Sequence, residues 1–108
     1  MTELVTVEIT CPDLASATAI AEAALARRLA ACANIGAPVT SLYTWAGKAE
    51  RATETPLHLK TRAALFEPLA ALARALHPYE LPCVIAHPVS HASEDYRVWV
   101  LAETEGGA

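Results

Sequence analysis

Hydrophobic and polar residues alternate from Leu4 to Thr10, a period of two that is typical of a half-buried β-strand. After Cys11 and a proline, apolar residues recur at helical spacing from Leu14 to about Leu29. Asp13, directly before them, is a residue type that accepts hydrogen bonds from the free N–H groups at a helix N-terminus. The pattern predicts a strand and then a capped helix. The strand residues expected to face the core are Val5, Val7 and Ile9.

The middle of the chain is rich in β-branched and aromatic residues, which favour strands. Residues 32–45 predict a long extended segment with a break or bulge near residues 36–38, and residues 46–48 predict a turn. Residues 53–60 then predict a returning strand. Pro56 in this strand has no N–H to donate, so we expect the strand to lie at an edge of the sheet or to be bulged there.

The last third of the chain predicts a helix, a short strand and another helix. Apolar residues with helical spacing cover about residues 65–76, and the prolines within residues 77–82 predict a loop. Residues 83–86 predict a short buried strand, and Ser93 is expected to cap a final helix over Glu94–Glu103. The residues of that helix expected to face inward are Tyr96, Trp99 and Val100.

The predicted order is therefore β-α-β-β-α-β with a C-terminal helix. This is the order of the split β-α-β, or ferredoxin-like, α+β fold, in which one antiparallel sheet carries two helices on one face. The chain contains no linker or low-complexity segment, so we expect a single domain over residues 1–108.

The hairpin formed by the second and third predicted strands is too long for a domain of this size. If residues 32–45 form one strand, it spans roughly 45 Å at about 3.3 Å per residue. A compact domain of about 100 residues has a radius of gyration of only about 13 Å. Tyr43 and Trp45 near the tip of the hairpin would then need another surface to cover them. The sequence thus predicts an oligomer in which the hairpin packs on a neighbouring subunit.

Composition and charge exclude several classes of protein. Hydrophobic residues make up 54% of the chain, which excludes disorder, but no apolar run approaches the ~20 residues of a membrane span. The formal net charge of −4 and the lack of a basic cluster or a Gly-rich phosphate loop argue against nucleic-acid binding. The N-terminus does not resemble a signal peptide, and three cysteines cannot all pair within one chain, so we expect reduced thiols and a cytoplasmic location.

Short motifs occur in a particular order along nearly the whole chain. They are Thr10-Cys11-Pro12, Leu29-Ala30-Ala31-Cys32-Ala33-Asn34-Ile35, Ser41-Leu42-Tyr43-Thr44-Trp45-Ala46-Gly47-Lys48, Leu59-Lys60-Thr61, His77-Pro78-Tyr79-Glu80-Leu81-Pro82, Pro88-Val89 and Tyr96-Arg97-Val98-Trp99. Together, these motifs resemble the CutA family, the divalent-cation tolerance proteins. The resemblance implies a ferredoxin-like homotrimer with long hairpins between its subunits, a link to copper and other divalent metals, and a trimer shape shared with PII signalling proteins.

Two residues depart from the pattern of that family. Cys83 stands where the family commonly has an acidic residue after the last proline of its His-Pro-Tyr loop. His87 stands where the family often has an aliphatic residue. A metal site that used the acidic side chain would here be absent or would contain a softer ligand.

Thiol and imidazole groups are the candidate metal ligands, because soft thiolates and imidazoles suit copper and zinc. Neither a CxxC pair nor a helical HxxxH pair is present. Cys11 lies between a strand end and a helix N-terminus, where the helix dipole favours a thiolate, and the resemblance associates this position with copper. His77 and Cys83 complete the predicted metal set. The alternatives are hydrogen bonding to the last carbonyls of a helix for His77 and packing as a small core residue for Cys83.

A second group of aromatic and charged residues is predicted to line a cleft between subunits. The group is Tyr43, Trp45, Lys48, Lys60, Tyr79, Glu80, Tyr96 and Trp99. Interface packing alone is the alternative for the two tryptophans, and a solvated or ion-paired role is the alternative for Lys60 and Glu80. No paired carboxylates, activated Ser/His/Asp set or Cys-His-Asn set is recognisable, so we expect neither an enzyme nor an organic cofactor.

The function is left open between three hypotheses. The first is a cytoplasmic homotrimer, resembling CutA, that binds copper or other divalent ions and contributes to metal tolerance. The second is a PII-like trimer that binds a metabolite or nucleotide between its subunits and regulates a partner protein. The third is a purely structural trimer, which would be stable without a ligand and indifferent to the change Cys11→Ser.

Overall fold

The computed structural model describes residues 3–107, which form a five-stranded antiparallel sheet and three α-helices. In chain order the elements are β1 (Leu4–Cys11), α1 (Leu14–Ala26), β2 (Cys32–Ile35), β3 (Val39–Trp45), β4 (Lys48–Arg62), α2 (Phe66–Leu76), β5 (Val84–Pro88) and α3 (Glu94–Glu103). The predicted mixed α+β class is confirmed. The single domain over residues 1–108 stays a prediction, and residues 1, 2 and 108 lie outside the described range. Within that range, no helix has the length and apolar character to cross a membrane.

The longest strand, β4, pairs with three other strands, always in the antiparallel sense. Its C-terminal half lies between β1 and β2, and the order across the sheet is β2-β4-β1-β5. Its N-terminal half, residues 48–54, pairs with β3. We call β3 and residues 48–54 of β4 the arm. The strand predicted over residues 53–60 extends in the structure from residue 48 to residue 62, because β3 and β1 pair with it along this whole length.

The arm makes the molecule long and narrow. The described chain measures 44 × 26 × 23 Å and has a radius of gyration of 14.3 Å, above the roughly 13 Å of a compact domain. At the tip of the arm, Ala46 and Gly47 have positive φ angles of 52° and 79°, as in a two-residue type I′ turn. The turn predicted over residues 46–48 is confirmed.

Residues 36–38 separate β2 from β3, so the extended segment predicted over residues 32–45 has the expected break. The break lies opposite Pro56 of β4, whose carbonyl accepts a hydrogen bond from the Gly36 N–H at 2.9 Å. A Cβ atom on Gly36 would lie only 2.9 Å from Cγ of Pro56, so a larger residue would clash. Pro56 pairs with Thr10 of β1 on its other side, and the prediction of an edge position is therefore wrong. Instead, the break in the facing strand accommodates the missing N–H.

One face of the sheet and the helices α1 and α2 enclose the hydrophobic core. Val7 and Ile9 of β1 and Leu57 and Leu59 of β4 are fully buried, and Val5 is nearly so. This confirms the predicted inward face of the first strand. Alanines on the helices let their backbones approach the sheet closely. The fully buried helix residues in this core are Ala17, Ile20, Ala24, Leu69 and Ala73.

Helix α1 ends at Ala26, before the predicted end at Leu29. Arg28 has a positive φ of 57°, which ends the helix, and the N–H of Leu29 donates back to a carbonyl of α1 at 2.9 Å. The Arg28 side chain then donates to the carbonyls of Ala102 and Glu105, each at 2.8 Å. The end of the first helix therefore also holds the C-terminal end of α3.

One prediction of burial is wrong for the described chain, and another is met in part. The strand predicted to be buried at residues 83–86 is β5, which pairs with β1 alone among the described strands, and Ile85 is 46% exposed. Helix α3 has the predicted bounds and its inward residue Val100 is fully buried, whereas Tyr96 and Trp99 on the same predicted face are 38% and 41% exposed. Both elements lie at the margin of the fold, where local pattern does not reveal how much of the surface is covered.

We predict that Leu59→Ala lowers the free energy of unfolding by about 2–5 kcal/mol, because the change leaves a cavity where a fully buried leucine was. Chemical denaturation at a fixed protein concentration measures this. Leu14→Ala is the matched control, because Leu14 is 62% exposed at the start of α1, and it should change the free energy by no more than about 0.5 kcal/mol. Equal effects of the two changes would contradict this assignment of the core.

Candidate functional site

A cleft of about 660 Å³ lies where the arm meets the sheet, beside the loop that follows α2. Several of the predicted site residues line this cleft. They are Tyr43, Trp45, Tyr79, Glu80 and Cys83. Thr10, Ser41 and Glu54 also line it, and Glu54 is not among the residues predicted to form a site. Side chains from β1, β3, β4 and one loop therefore converge on one concave surface.

The alternation of β3 explains why its cleft residues lie together. Ser41, Tyr43 and Trp45 occupy every second position of the strand and so project from the same side of the arm. Tyr43 and Trp45 remain 44% and 45% exposed in the described chain. The arm thus presents two accessible aromatic rings to the cleft.

His77 fixes the loop that forms the opposite wall. Its backbone N–H donates to the Ala73 carbonyl at 2.8 Å and closes α2. Its ring Nδ1 accepts from the Tyr79 backbone N–H at 3.1 Å, so the ring proton lies on Nε2, which donates to the Thr10 carbonyl at 2.8 Å. The ring therefore bonds to β1 and to its own loop instead of to the last carbonyls of the helix. Both ring nitrogens are occupied, and neither presents a free lone pair to a metal ion.

Glu54 and Tyr79 meet at the inner end of the cleft. The Tyr79 hydroxyl donates to Oε2 of Glu54 at 2.8 Å, and Glu54 is only 7% exposed. Burial, the hydrogen bond to Glu54 and the charge of that carboxylate raise the pKa of Tyr79 to about 12. Tyr79 was predicted from its loop motif. Glu54 carried no such signal, because only the pairing register places residue 54 at this point.

Cys11 is fully buried at the end of β1, and its predicted activation to a thiolate is wrong. Burial, followed by the negative charges of Asp13 and Glu54, raises the pKa of Cys11 to about 11. The positive end of α1 does not reverse this effect, because the Asp13 carboxylate already accepts a hydrogen bond from the Ser16 N–H at 2.8 Å. At neutral pH, Cys11 is a neutral core thiol.

Cys83 is the accessible thiol of the cleft. It is exposed at the loop end just before β5, so packing as a small core residue is not its role. Glu80 of the same loop is exposed beside it. Cys32 is half-buried and lies outside this cleft, with its Sγ 3.4 Å from the Tyr96 hydroxyl. The three cysteines therefore occupy three different environments.

The remaining predicted cleft residues lie elsewhere. Lys48 is at the tip of the arm, at the start of β4. Lys60 and Tyr96 line a smaller cavity of about 230 Å³ between β1 and α3, where Lys60 Nζ donates to an asparagine side chain of β2 at 2.8 Å. Trp99 packs on Tyr96, with ring centroids 5.5 Å apart. Within one chain, the predicted residues are thus divided between the cleft, the tip of the arm and the smaller cavity, and a cleft between subunits stays a prediction.

The predicted metal set does not come together within one chain. In the described part of the chain, no three side chains of the His, Cys, Asp or Glu types lie close enough to hold a metal ion. Cys11 is a buried neutral thiol, and the His77 ring is occupied by two hydrogen bonds. Cys83 is the member of the set that a metal ion in solvent can reach. Metal binding by these residues stays a prediction.

The fold and its arm place the chain in a class of small α+β proteins with solved structures. The periplasmic divalent cation tolerance protein CutA from Archaeoglobus fulgidus superposes with a TM-score of 0.92 at 35% identity, over 94% of this chain and 99% of that one. The divalent cation tolerance protein from Thermus thermophilus superposes with a TM-score of 0.91 at 37% identity, over 94% of this chain and 98% of that one.

Sequence relatives agree with the structural ones. Protein CutA from Mus musculus is 41% identical over 97 residues, which are 90% of this chain and 55% of the mouse protein, so the chain spans about half the length of that relative. The divalent-cation tolerance protein CutA from Citrobacter koseri is 40% identical over 100 residues, 93% of this chain and 87% of the other. Residues 5–103 match the family described as CutA1 divalent ion tolerance protein, and the chain belongs to that family.

We predict that iodoacetamide modifies Cys83 first at neutral pH and leaves Cys11 unmodified in the folded protein. Thiolates are the reactive form, and the pKa of about 11 keeps the buried Cys11 protonated. Mass spectrometry of proteolytic peptides gives the order of modification, and in unfolded protein all three cysteines should react. Modification of Cys11 as fast as that of Cys83 would contradict the burial described here.

Proposed function

We propose that this protein is a homotrimer with a ferredoxin-like subunit, that it binds copper or another divalent ion and contributes to metal tolerance, and that it has no enzymatic activity. Membership of the CutA1 divalent ion tolerance family supports the link to metals. The strand order supports the ferredoxin-like subunit: if β2 and β3 count as one interrupted strand, four antiparallel strands and two core helices follow the split β-α-β order.

The arm is the observation that carries the proposal of an assembly, and the resemblance to the CutA family supports three subunits. Leu42 is 74% exposed on a two-stranded extension of the sheet, on the side of β3 opposite to Tyr43 and Trp45. A two-stranded hairpin has marginal stability on its own and needs a surface to pack on. The same chain exposes such a surface, since Ile85 is 46% exposed on the edge strand β5. Packing of the Leu42 side of each arm on the next subunit would cover both surfaces and leave Tyr43 and Trp45 on the cleft.

Cys83 is our proposed primary ligand for the metal ion. It is exposed on the cleft, and thiolates suit copper. Glu80 lines the same cleft and offers carboxylate oxygens. Because residues 3–107 of one chain bring too few ligands together, we propose that neighbouring subunits complete the coordination. The metal ion is the ligand that the protein carries or sequesters, and no chemical step takes place on it.

We propose the cytoplasm as the location of the protein. The three cysteines are all free of disulfides, which is usual for proteins in a reducing compartment. The name of the relative from Archaeoglobus fulgidus places that protein in the periplasm instead. The proposal for this chain therefore rests on its free thiols.

The alternative is a PII-like trimer that binds a small metabolite in the cleft and regulates a partner protein. The size of the cleft favours it, because about 660 Å³ is within the range of small-molecule sites. Such a protein would bind its ligand without any metal requirement.

Native mass spectrometry of the reduced protein, titrated anaerobically with copper(I), tests the proposal. We expect the mass of a trimer and saturable copper uptake in multiples of three. Cys83→Ser should lose this uptake, because it removes the accessible thiolate, whereas the matched control Cys32→Ser changes a thiol outside the cleft and should keep it.

Either part of the proposal can fail separately. A mass other than that of a trimer would overturn the proposed assembly. Unchanged saturable uptake by Cys83→Ser would remove that residue from the metal site, and scattered uptake without saturation by the unmodified chain would favour the PII-like alternative.

A further inference from the structure

The inner end of the cleft contains a buried negative charge. Glu54 is 7% exposed, and one of its carboxylate oxygens accepts the hydrogen bond from Tyr79. The ion pairs present among residues 3–107 join other residues, so within that range the Glu54 carboxylate has no basic partner. Burying a carboxylate without a cation is unfavourable, and a single hydrogen bond offsets only part of the cost. A bound cation would offset the remainder.

The rest of the cleft does not compensate this charge. Glu80 adds a second carboxylate, and the described residues that line the cleft include no lysine, arginine or histidine. The effect on neighbouring groups is already visible, because the Glu54 charge adds to burial in raising the pKa of Tyr79, and to burial and Asp13 in raising the pKa of Cys11. The described lining of one chain therefore attracts positive charge and disfavours phosphates.

Three aromatic rings make the cleft better suited to an organic cation than to a bare metal ion. Tyr43, Trp45 and Tyr79 all line it, and the faces of such rings attract ammonium groups. The volume of about 660 Å³ is far larger than one coordinated ion needs and is typical of small-molecule sites. A ligand with a positive charge at one end and an apolar body would use both features.

We propose that the cleft binds a small organic cation, a primary ammonium group joined to an apolar group. The ammonium lies on the Glu54 carboxylate, and the apolar part packs against Tyr43 and Trp45. This binding goes beyond metal tolerance and requires no metal ion at Cys83. It also narrows the proposed ligand class of the cleft to small organic cations.

Benzylamine and benzyl alcohol form a suitable pair of probes. They have nearly the same shape, but benzylamine carries a positive charge at neutral pH. Trp45 reports on the cleft by fluorescence when Trp99, the other of the two tryptophans, is replaced in a Trp99→Phe background. The assembled protein is titrated with each probe in the presence of a chelator, so that metal binding does not contribute.

We predict that benzylamine changes the Trp45 fluorescence in a saturable manner and binds at least about tenfold more tightly than benzyl alcohol, as expected for a charge-assisted hydrogen bond. Glu54→Gln should abolish that difference by weakening benzylamine alone. Glu22→Gln, which removes a carboxylate from an exposed position on α1, is the matched control and should leave both affinities unchanged.

The comparison of the two probes on the unsubstituted cleft tests the proposal even if Glu54→Gln does not fold. Equal affinities for benzylamine and benzyl alcohol, or no saturable binding of benzylamine, would overturn it. So would a folded Glu54→Gln protein that keeps the preference for benzylamine. Because the titration is free of metal, its failure leaves the copper result with Cys83→Ser untouched.

Discussion

Backbone pairing along β4 connects every part of this structure. The C-terminal half of the strand lies between β1 and β2 and buries Leu57 and Leu59 in the core, while its N-terminal half forms one side of the arm. Since the strand is continuous, the core sets the direction in which the arm extends. Pro56 lies where the two halves meet, and the Gly36 N–H bonds to its carbonyl at the break in the facing strand. The arm therefore projects from a fixed base.

The cleft is a consequence of the same junction. Glu54 forms the last pair of the arm with Val39, and the next residue of β4 pairs with Cys11 at the end of β1. A carboxylate and a thiol are thus both buried at this junction, and burial, followed by the charges of Asp13 and Glu54, keeps the thiol neutral. The loop held by His77 supplies Tyr79, which donates to Glu54. The charge, the aromatic rings and the accessible Cys83 all depend on where the arm meets the sheet.

Local pattern predicted the elements better than the site. The alternation of β1, the break before β3 and the bounds of α3 follow from residue types within a few positions, and all three agree with the structure. The roles of residues that depend on neighbours far away in the sequence could not be predicted from local pattern. Cys11 lies at a helix N-terminus, as predicted, but burial and two carboxylates decide its protonation. Glu54 and Tyr79 are 25 positions apart, and only the register of the sheet brings them together.

The central claim is that neighbouring subunits cover the arm, and hydrogen–deuterium exchange tests it most directly. In the unsubstituted protein, the amides of β3 should exchange nearly as slowly as those of β1. Leu42→Glu places a charge on a side chain that is 74% exposed in the single chain, so it should matter only if another subunit covers that position. We predict that this change dissociates the assembly and makes β3 exchange fast while β1 stays protected. Fast exchange of β3 in the unsubstituted protein, or an unchanged assembly with Leu42→Glu, would contradict the account.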